Sequence, residues 1–157
     1  MELRDAKHSD LPRIIEIERL SFTQPWSPNS FQRELSLSFS RTFLAIPQGD
    51  GQLAAGYLCR WLVAGEVHIL NIAVHPDFRQ QGIATALLEE ALAEARRKRA
   101  EVMVLEVRRT NLPARQLYRK LGFEDRRLRR NYYGPGEDAL VMELVIPDSS
   151  LRKRGSL

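Results

Sequence analysis

The stretch from Asn71 to Thr85 most constrains the fold of this chain, because it combines a buried strand, a short loop and the start of a helix. An apolar run ends at Val74, a proline-containing loop follows, and from Gly82 onward apolar residues recur with a helical period. Helix N-termini carry unpaired N–H groups and the positive end of the helix dipole. The junction therefore predicts a site for an anion such as a phosphate.

The loop of this stretch contains the pattern R-x-x-G-x-A, formed by Arg79, Gly82 and Ala84. It is not the dinucleotide-binding G-x-G-x-x-G pattern, because the first glycine is missing, and it is not a P-loop, because no Gly-Lys-Ser/Thr follows. Small residues before a helix also occur where the chain only needs a tight turn. The pattern alone therefore leaves an anion site and a simple turn open.

Length and composition predict one soluble globular domain. The 157 residues are 43% hydrophobic and 28% charged, which suits a single hydrophobic core. We expect one domain over residues 1–147 and a basic, flexible tail over residues 148–157. No apolar run reaches the roughly 20 residues that span a bilayer, and residues 1–5 lack the apolar core of a signal peptide, so a cytoplasmic location without membrane contact is expected.

The net charge of +4 is unevenly distributed along the chain. Residues 79–130 hold 14 Lys or Arg against 7 Asp or Glu, a surplus of +7 that leaves −3 for the remainder. Such a field could attract a phosphorylated cofactor, or could face nucleic acid or a ribosomal particle. A solvated helix face at residues 96–99 accounts for part of the surplus.

Hydrophobic periods and turn signals predict an antiparallel meander that leads into a strand-to-helix crossover. Predicted strands cover residues 2–6, 41–46, 53–63, 66–74, 101–107, a segment from 123, and 138–146, with a hairpin turn at 48–51 and a loop at 129–136. Ser9 or Asp10 caps a predicted helix that runs to about Ser21, and further predicted helices cover residues 28–37, 82–98 and 112–121. Ser27 and Pro28 begin the second helix, Asn111 caps the last one, and Gly122 ends it.

Two residues near the last predicted helix could carry chemistry. Glu106 stands within a run of Val, Met and Leu, so burial should raise the pKa of its carboxyl toward the range of a general base at neutral pH. The alternative is a structural carboxylate paired with Arg108 or Arg109. Tyr118, on the helix, is by itself more typical of a core residue whose hydroxyl has a nearby partner.

Metal and nucleophilic chemistry are not predicted. His8, His68 and His75 lack metal-ligand spacing, and no Cys/His cluster or Ser-His-Asp arrangement is suggested. Cys59, the single cysteine, lies in an apolar run and is expected to be a small buried hydrophobe.

The second half of the chain carries a more specific combination of motifs. The run from Leu105 to Asn111, then Tyr118 and Gly122-Phe123, closely resembles the GNAT superfamily of N-acetyltransferases, as does the R-x-x-G-x-A loop. With Asn131-Tyr132-Tyr133 and the acidic residues 137–138, the chain more narrowly resembles bacterial ribosomal-protein-alanine N-acetyltransferases. The resemblance covers nearly the whole chain except the tail. It implies an α/β GNAT fold: a mixed, mostly antiparallel sheet of about seven strands with helices on both faces.

The resemblance also implies the roles of individual residues. Glu106 would accept the proton of the substrate amine, and Tyr118 would donate a proton to the departing thiolate. Acetyl-CoA would be bound by backbone groups of β-strand and loop residues and by one cap residue: Ile72, Ala73, Val74, Arg79, Gln80, Gln81, Gly82, Ile83, Ala84, Thr85 and Asn111. Close relatives often have Gly at the position of Ala84, but the superfamily pattern allows either.

Three aromatic residues would line the peptide entrance if the resemblance holds: Trp26, Tyr132 and Tyr133. Each has a structural alternative, because a tryptophan between two helices is usually a plug on the core, and the two tyrosines could simply pack loops together. The implied function is acetyl transfer to a protein N-terminus, with a ribosomal protein beginning with alanine as acceptor and no metal or direct nucleic-acid recognition. Direct attack in a ternary complex is favoured, since no activated Ser or Cys is evident.

Two other functions remain open from the sequence. The acceptor could be a lysine side chain, a polyamine or another small amine, although few carboxylates cluster outside residues 137–138. The chain could also be a non-catalytic module that binds CoA or a ribosomal surface. An RNA reader would usually show interleaved aromatics on a basic sheet face, and residues 96–130 carry only Tyr118 and Phe123.

Overall fold

A computed structural model describes residues 1–48 and 53–147. Most of the predicted hairpin turn (49–51) and the predicted tail (148–157) lie outside the described residues. The elements in chain order are β1 Glu2–Asp5, α1 Leu11–Ser21, α2 Pro28–Ser36, β2 Ser40–Ile46, β3 Gly56–Val63, β4 Glu66–Val74, α3 Ile83–Arg97, β5 Val102–Arg108, α4 Leu112–Leu121, β6 Glu124–Gly134 and β7 Glu137–Val145. Short 3₁₀ turns cover His8–Asp10 and Pro76–Phe78.

The seven strands form a mixed sheet in the order β1-β2-β3-β4-β5-β7-β6. The pairs β1–β2, β2–β3, β5–β7 and β6–β7 are antiparallel, and β4–β5 is parallel. A parallel pair needs a crossover connection, which α3 supplies between β4 and β5. The predicted α/β class with a mostly antiparallel sheet of about seven strands is confirmed. In the described part of the chain, no helix combines the length and apolarity needed to cross a membrane.

The chain divides into two compact units, Met1–Trp61 with Leu70–Leu92, and Leu62–Ile69 with Ala93–Leu157. The core of the first unit forms where α1 and α2 cover the inward residues of β2 and β3. Its buried side chains include aliphatic residues of α1 and β2 and aromatic residues of α2 and β3, namely Ile14, Ile17, Leu44, Phe31 and Tyr57. The Phe31 and Tyr57 rings meet edge to face with centroids 5.6 Å apart, a favoured aromatic geometry.

The second unit is built on β5, whose side chains alternate between buried and half-buried positions. Met103, Leu105 and Val107 form the buried face of β5, and the β5–β7 pairing extends over all seven residues of the strand. The opposite face carries Val104 and Glu106. Because successive side chains of a strand point to opposite faces, the carboxylate of Glu106 is kept off the apolar side of the sheet.

The predicted start of α2 and both predicted ends of α4 agree with the structure, because their capping residues act locally. The Ser27 hydroxyl accepts a hydrogen bond from the backbone N–H of Ser30, and Pro28 occupies the first turn of α2. In α4, the side chain of Asn111 accepts from the Ala114 N–H at 3.3 Å, and Gly122 closes the helix with a φ of +111°. Only glycine adopts this left-handed conformation without steric cost.

The predicted loop at residues 129–136 is too long, because only the turn at residues 135–136 lies between the two strands. β6 continues to Gly134, and its pairing with β7 ends at Gly134 opposite Glu137. A register shift between Arg129 and Gly134 absorbs extra residues, and Asn131 adopts a φ of +56° there. The sequence carries loop signals because this strand is irregular, and Tyr132 and Tyr133 therefore lie on a bulged edge strand rather than in a loop.

Candidate active site

The loop between β4 and α3 presents backbone N–H groups in the first unit. Gln80 and Gly82 have φ values of +61° and +77°, and the first bond of α3 runs from the Ala86 N–H to the Gly82 carbonyl. The N–H groups of the first helical turn therefore have no carbonyl partner within the helix. Left-handed residues next to a helix start make backbone N–H groups converge, which is the arrangement that binds phosphate oxygens.

Gly82 is needed in this loop for its backbone conformation and not for packing. An ideal Cβ at this position would meet no protein atom within 4 Å, whereas its positive φ disfavours any other side chain. Glycine thus leaves the N-terminus of α3 uncovered. These features are compatible with an anion site at this loop, and its contact with the pyrophosphate of a CoA cofactor remains a prediction.

Arg79 directs its guanidinium back toward the protein. Its Nε donates to the Val74 carbonyl at 3.1 Å, and its Nη2 lies 3.4 Å from the Ser21 hydroxyl. The side chain thus bridges the end of β4 and the end of α1 within the first unit. Arg79 therefore fixes the loop geometry through its side chain, while its predicted contact with a cofactor remains a prediction.

The second unit brings Glu106 against His68, a pairing that the β4–β5 register explains. His68 is paired with Val104 across the parallel strands, and Glu106, two residues further along, shares the face of Val104. His68 Nε2 and Glu106 Oε2 are consequently 2.6 Å apart. The Glu106 side chain is 12% exposed and that of His68 is 37% exposed, so the carboxylate is largely shielded while the imidazole reaches solvent.

The predicted rise in the pKa of Glu106 is wrong. Burial does raise the pKa of this carboxyl, but the hydrogen bond from His68 and the charges of His68 and two nearby arginines outweigh burial and lower it. Arg129 Nη1 lies 3.5 Å from Glu106 Oε1 and Arg127 adds a more distant charge. The alternative of a structural ion pair with Arg108 or Arg109 is not observed, because these residues pair with Glu137 and Asp138.

Tyr118 and Tyr133 supply protonated hydroxyl groups in the same unit. Tyr118 is 8% exposed and its ring lies 5.9 Å from that of Phe123, as expected for a core residue of α4. Burial, with a smaller effect of Tyr133, raises the pKa of Tyr118 to about 12. Burial and the nearby Tyr132 and Glu106 likewise raise the pKa of Tyr133 to about 12. Both phenols therefore remain proton donors at neutral pH.

The aromatic residues predicted at a peptide entrance lie in two separate settings. Trp26 packs on the core of the first unit with its ring 5.2 Å from Phe31, which confirms its role as a plug. Tyr132 is 49% exposed and meets Tyr133 edge to face at 5.0 Å in the second unit. Arg129 lies over the ring of Tyr132. A substrate-binding role of these residues remains a prediction.

The remaining sequence predictions concern metal and thiol chemistry. Within residues 1–48 and 53–147, no group of three or more His, Cys, Asp or Glu side chains is arranged to hold a metal ion. Cys59 is fully buried in β3, as predicted, and burial raises the pKa of its thiol. Its side chain lies 3.8 Å from the Ser40 hydroxyl.

The mixed sheet, the loop before α3 and the Glu106 carboxylate paired with His68 can now be compared with known protein families. The model of the acetyltransferase (GNAT) family matches residues 11–123. Because this match covers more than half of the chain, the chain belongs to that family, and the resemblance drawn from its motifs is confirmed.

Within this family, the chain is similar to several individual N-acetyltransferases. The chain is 38% identical over 144 residues to the ribosomal protein bS18-alanine N-acetyltransferase of Escherichia coli K12, covering 88% of this chain and 93% of the relative. It is 33% identical over 153 residues to an N-alpha-acetyltransferase of Sulfurisphaera tokodaii, covering 89% and 90%. The crystal structure of the ribosomal-protein-S18-alanine N-acetyltransferase from Escherichia coli superposes with a TM-score of 0.85 at 32% identity, covering 94% and 95%.

Sequence reasoning missed His68 and Arg129 as partners of Glu106. Both were visible as polar residues in predicted strand or loop segments, but their proximity to Glu106 depends on strand register and on the extension of β6. The alternating pattern of β4 places His68 on a definite face of the sheet, and it does not specify the residue that lies opposite.

Proposed function

We propose that this chain transfers the acetyl group of acetyl-CoA to the N-terminal α-amino group of a protein. The first candidate acceptor is the N-terminal alanine of a small-subunit ribosomal protein, because the named relatives act on such a protein or on α-amino groups. The observation that carries the proposal is the shielded Glu106 carboxylate bonded to a solvent-reaching His68. A domain spanning residues 1–147 would perform this reaction in the cytoplasm.

Acetyl-CoA would be held by backbone groups at the start of α3 and along β4. The N–H groups at the start of α3, from Gly82 to Thr85, would bind pyrophosphate oxygens, and the edge of β4 at residues 72–74 would bind the pantetheine arm. Asn111, whose side chain caps α4, is exposed and would reach the cofactor from outside. When bound, acetyl-CoA supplies an activated thioester carbonyl for attack by the amine.

His68 and Glu106 would together remove the proton of the acceptor ammonium. A terminal amine has a pKa of about 8, so most of it is protonated at neutral pH and must lose a proton before attack. A carboxylate with a lowered pKa is a weak proton acceptor by itself. If Nε2–H of His68 donates to Glu106, Nδ1 carries a lone pair that can take the proton, and Glu106 stabilises the resulting imidazolium.

Tyr118 would protonate the departing thiolate of CoA. Its phenol remains protonated at neutral pH because burial holds its pKa at about 12, and CoA thiolate is a stronger base than a carboxylate. Trp26, Tyr132 and Tyr133 would contact the acceptor peptide. The amine would attack the thioester directly, and the single buried cysteine need not take part.

A panel of acceptors tests the reaction. Purified chain is mixed with acetyl-CoA and short peptides beginning with Ala, Ser, Met or Thr, an N-blocked lysine peptide, or spermidine, and CoA release is followed from pH 6 to 9. We expect turnover on free α-amines, with alanine favoured, falling as the pH drops below about 8 because the amine is protonated. Turnover on lysine or spermidine alone would contradict the proposed acceptor, and no turnover despite CoA binding would indicate a binding module.

The variant Glu106→Gln tests the chemical step. We expect kcat/KM to fall by about a hundredfold or more, because the amide can neither accept a proton nor stabilise an imidazolium, while the Kd of acetyl-CoA stays within about twofold. Glu143→Gln is the matched control, since Glu143 is a half-buried carboxylate on β7 that pairs with Arg126. An equal loss in both variants would show that the effect is structural.

A further inference from the structure

The first unit contains a buried carboxylate, Glu18, that belongs to neither the anion loop nor the His68–Glu106 pair. Glu18 lies on α1 and is 1% exposed. None of the described residues forms an ion pair with it, and instead three hydrogen-bond donors surround it. Burying a charge without a cation is costly unless its lone pairs are used, and an apolar residue of similar volume is often no less stable at such a position. The presence of a buried carboxylate at this position would be explained if Glu18 holds its three donor groups in place.

The three donors come from parts of the chain that are far apart in sequence. The Tyr57 hydroxyl on β3 donates a hydrogen bond to Glu18 Oε1, and the side-chain amide of Asn71 on β4 donates to the same oxygen at 2.7 Å. The backbone N–H of Trp26 donates to Glu18 Oε2 at 2.9 Å. One carboxylate therefore fixes the segment between α1 and α2 and the residue that precedes Ile72 on β4.

Glu18 holds both attached segments through their polar groups. The residues from Phe22 to Pro25 are exposed, and this segment is tied to α1 at both ends, by the Phe22 N–H bond to the Glu18 carbonyl and by the Trp26 N–H bond to the Glu18 side chain. The Asn71 side chain also donates to the Tyr57 hydroxyl at 3.1 Å, which closes the network. Burial and the Glu18 charge keep the pKa of the Tyr57 phenol well above its usual value, so Tyr57 remains a donor.

We propose that Glu18 is a positioning residue for acceptor binding: it holds the backbone at Trp26 and the Asn71 end of β4 in the arrangement that receives the peptide N-terminus. This inference rests on the proposed acetyl transfer to a protein N-terminus. Glu18 itself does not touch the reacting atoms. Its effect passes through the Trp26 segment to acceptor binding, and none of the described hydrogen bonds joins the Glu18 side chain to residues 72–74 or to the start of α3, which would bind the cofactor.

Exchanging the hydrogen-bonding groups of Glu18 and Asn71 tests this proposal. Glu18→Gln leaves one acceptor oxygen for donors on both sides, so either the Asn71 amide or the Trp26 N–H loses its acceptor. Glu18→Gln combined with Asn71→Asp supplies an acceptor for the new amide N–H and leaves the remaining amide oxygen to accept from Trp26. Glu34→Gln is the matched control. Glu34 is a carboxylate on α2, 9% exposed, that accepts from the Trp61 indole N–H at 2.8 Å and has no bond to the Trp26 segment.

We expect Glu18→Gln to raise the acceptor KM about tenfold, the effect of losing one charge-assisted hydrogen bond, with the Kd of acetyl-CoA within about twofold of wild type. The double variant should return the acceptor KM to within about threefold of wild type, and Glu34→Gln should leave it unchanged. An acceptor KM that does not move in Glu18→Gln, that moves equally in Glu34→Gln, or that the exchange fails to restore would overturn the inference.

A second measurement keeps the inference separate from the proposed function. In a Trp61→Phe background, Trp26 is the remaining tryptophan, and acrylamide quenching of its fluorescence reports how firmly its segment is held. Quenching should increase with Glu18→Gln and recover in the double variant. If the wild type transfers no acetyl group, the proposed function fails, and quenching still tests whether Glu18 holds the Trp26 segment. If the enzyme is active and quenching is unchanged in Glu18→Gln, the inference about Glu18 is overturned and the proposed function stands. Should Glu18→Gln not fold, Tyr57→Phe, which keeps the charge and removes one donor, should raise quenching and the acceptor KM by about threefold.

Discussion

At the scale of single residues, Glu106 shows why an environment cannot be inferred from sequence neighbours alone. Its apolar neighbours along β5 suggested a raised pKa, and burial does act in that direction. The deciding partners come from other strands: His68 through the β4–β5 register and Arg129 through the extended β6. A carboxylate on the polar face of a strand meets cross-strand neighbours, and these set its protonation.

Replacing His68 should therefore change the protonation of Glu106. We expect His68→Leu to raise the pKa of Glu106, because the hydrogen bond that opposes burial is lost. Arg129→Gln should give a smaller rise, since Arg129 lies 3.5 Å away and contributes charge without a direct hydrogen bond. Titration of the Glu106 side-chain carboxyl by ¹³C NMR measures both. An unchanged pKa in His68→Leu would contradict the assigned cause.

The same shift predicts a pH dependence of stability. In the wild type, the folded pKa of Glu106 lies below its unfolded value of about 4.3, so the group contributes stability above that pH and loses it as the pH falls through the folded pKa. In His68→Leu this contribution disappears. Urea unfolding between pH 3 and 6 should therefore show a shallower acid-side decrease in the free energy of unfolding for the variant than for the wild type.

At the scale of elements, helix ends were predictable and strand ends were less so. Ser27, Pro28, Asn111 and Gly122 act through bonds within a few residues, and α2 and α4 begin and end where these residues predict. The end of β6 depends on pairing with β7 across a register shift, which turn-forming residues such as Gly134 conceal. Local chemistry was therefore enough to predict the helices and the anion loop, whereas predicting the partners of Glu106 would have required the register of the sheet.

Gly56 on β3 offers a prediction about packing between elements of the first unit. A Cβ added there would lie 2.8 Å from the Ala73 carbonyl oxygen and 3.2 Å from Ile83 Cγ2. Gly56→Ala should therefore reduce the free energy of unfolding by about 2 kcal/mol, since the nearest atom is backbone on β4 and cannot move aside cheaply. Leu87 Cδ1 would lie 3.3 Å from the same Cβ, and Gly56→Ala should cost as much in a Leu87→Ala background as in the wild type when urea unfolding is measured. A smaller cost in the Leu87→Ala background would show that side-chain crowding, not the backbone contact, decides the cost.

At the scale of the whole molecule, the predicted domain limit at residue 147 has a physical basis in the last described residues. Ile146 is 7% exposed and its N–H donates to the Glu101 carbonyl at 2.9 Å, which ties the end of β7 to the start of β5. Residues 148–157 contain three basic residues and one acidic residue, so their removal would lower the net charge from +4 to +2. That change leaves the charges of β5, β6 and α4 in place.

Two truncated chains test this limit. A chain that ends after Pro147 should keep the acceptor KM, the acetyl-CoA Kd and the Tm of the full chain, because it retains Ile146 and its hydrogen bond to Glu101. A chain that ends after Leu144 loses one buried side chain and one backbone bond, which should cost about 3 kcal/mol and lower the Tm by roughly 5–10 °C. Differential scanning calorimetry and the peptide assay measure these effects. A raised acceptor KM in the chain ending at Pro147, with an unchanged Tm, would show that the basic residues beyond it contribute to acceptor binding and would extend the functional domain to the C-terminus.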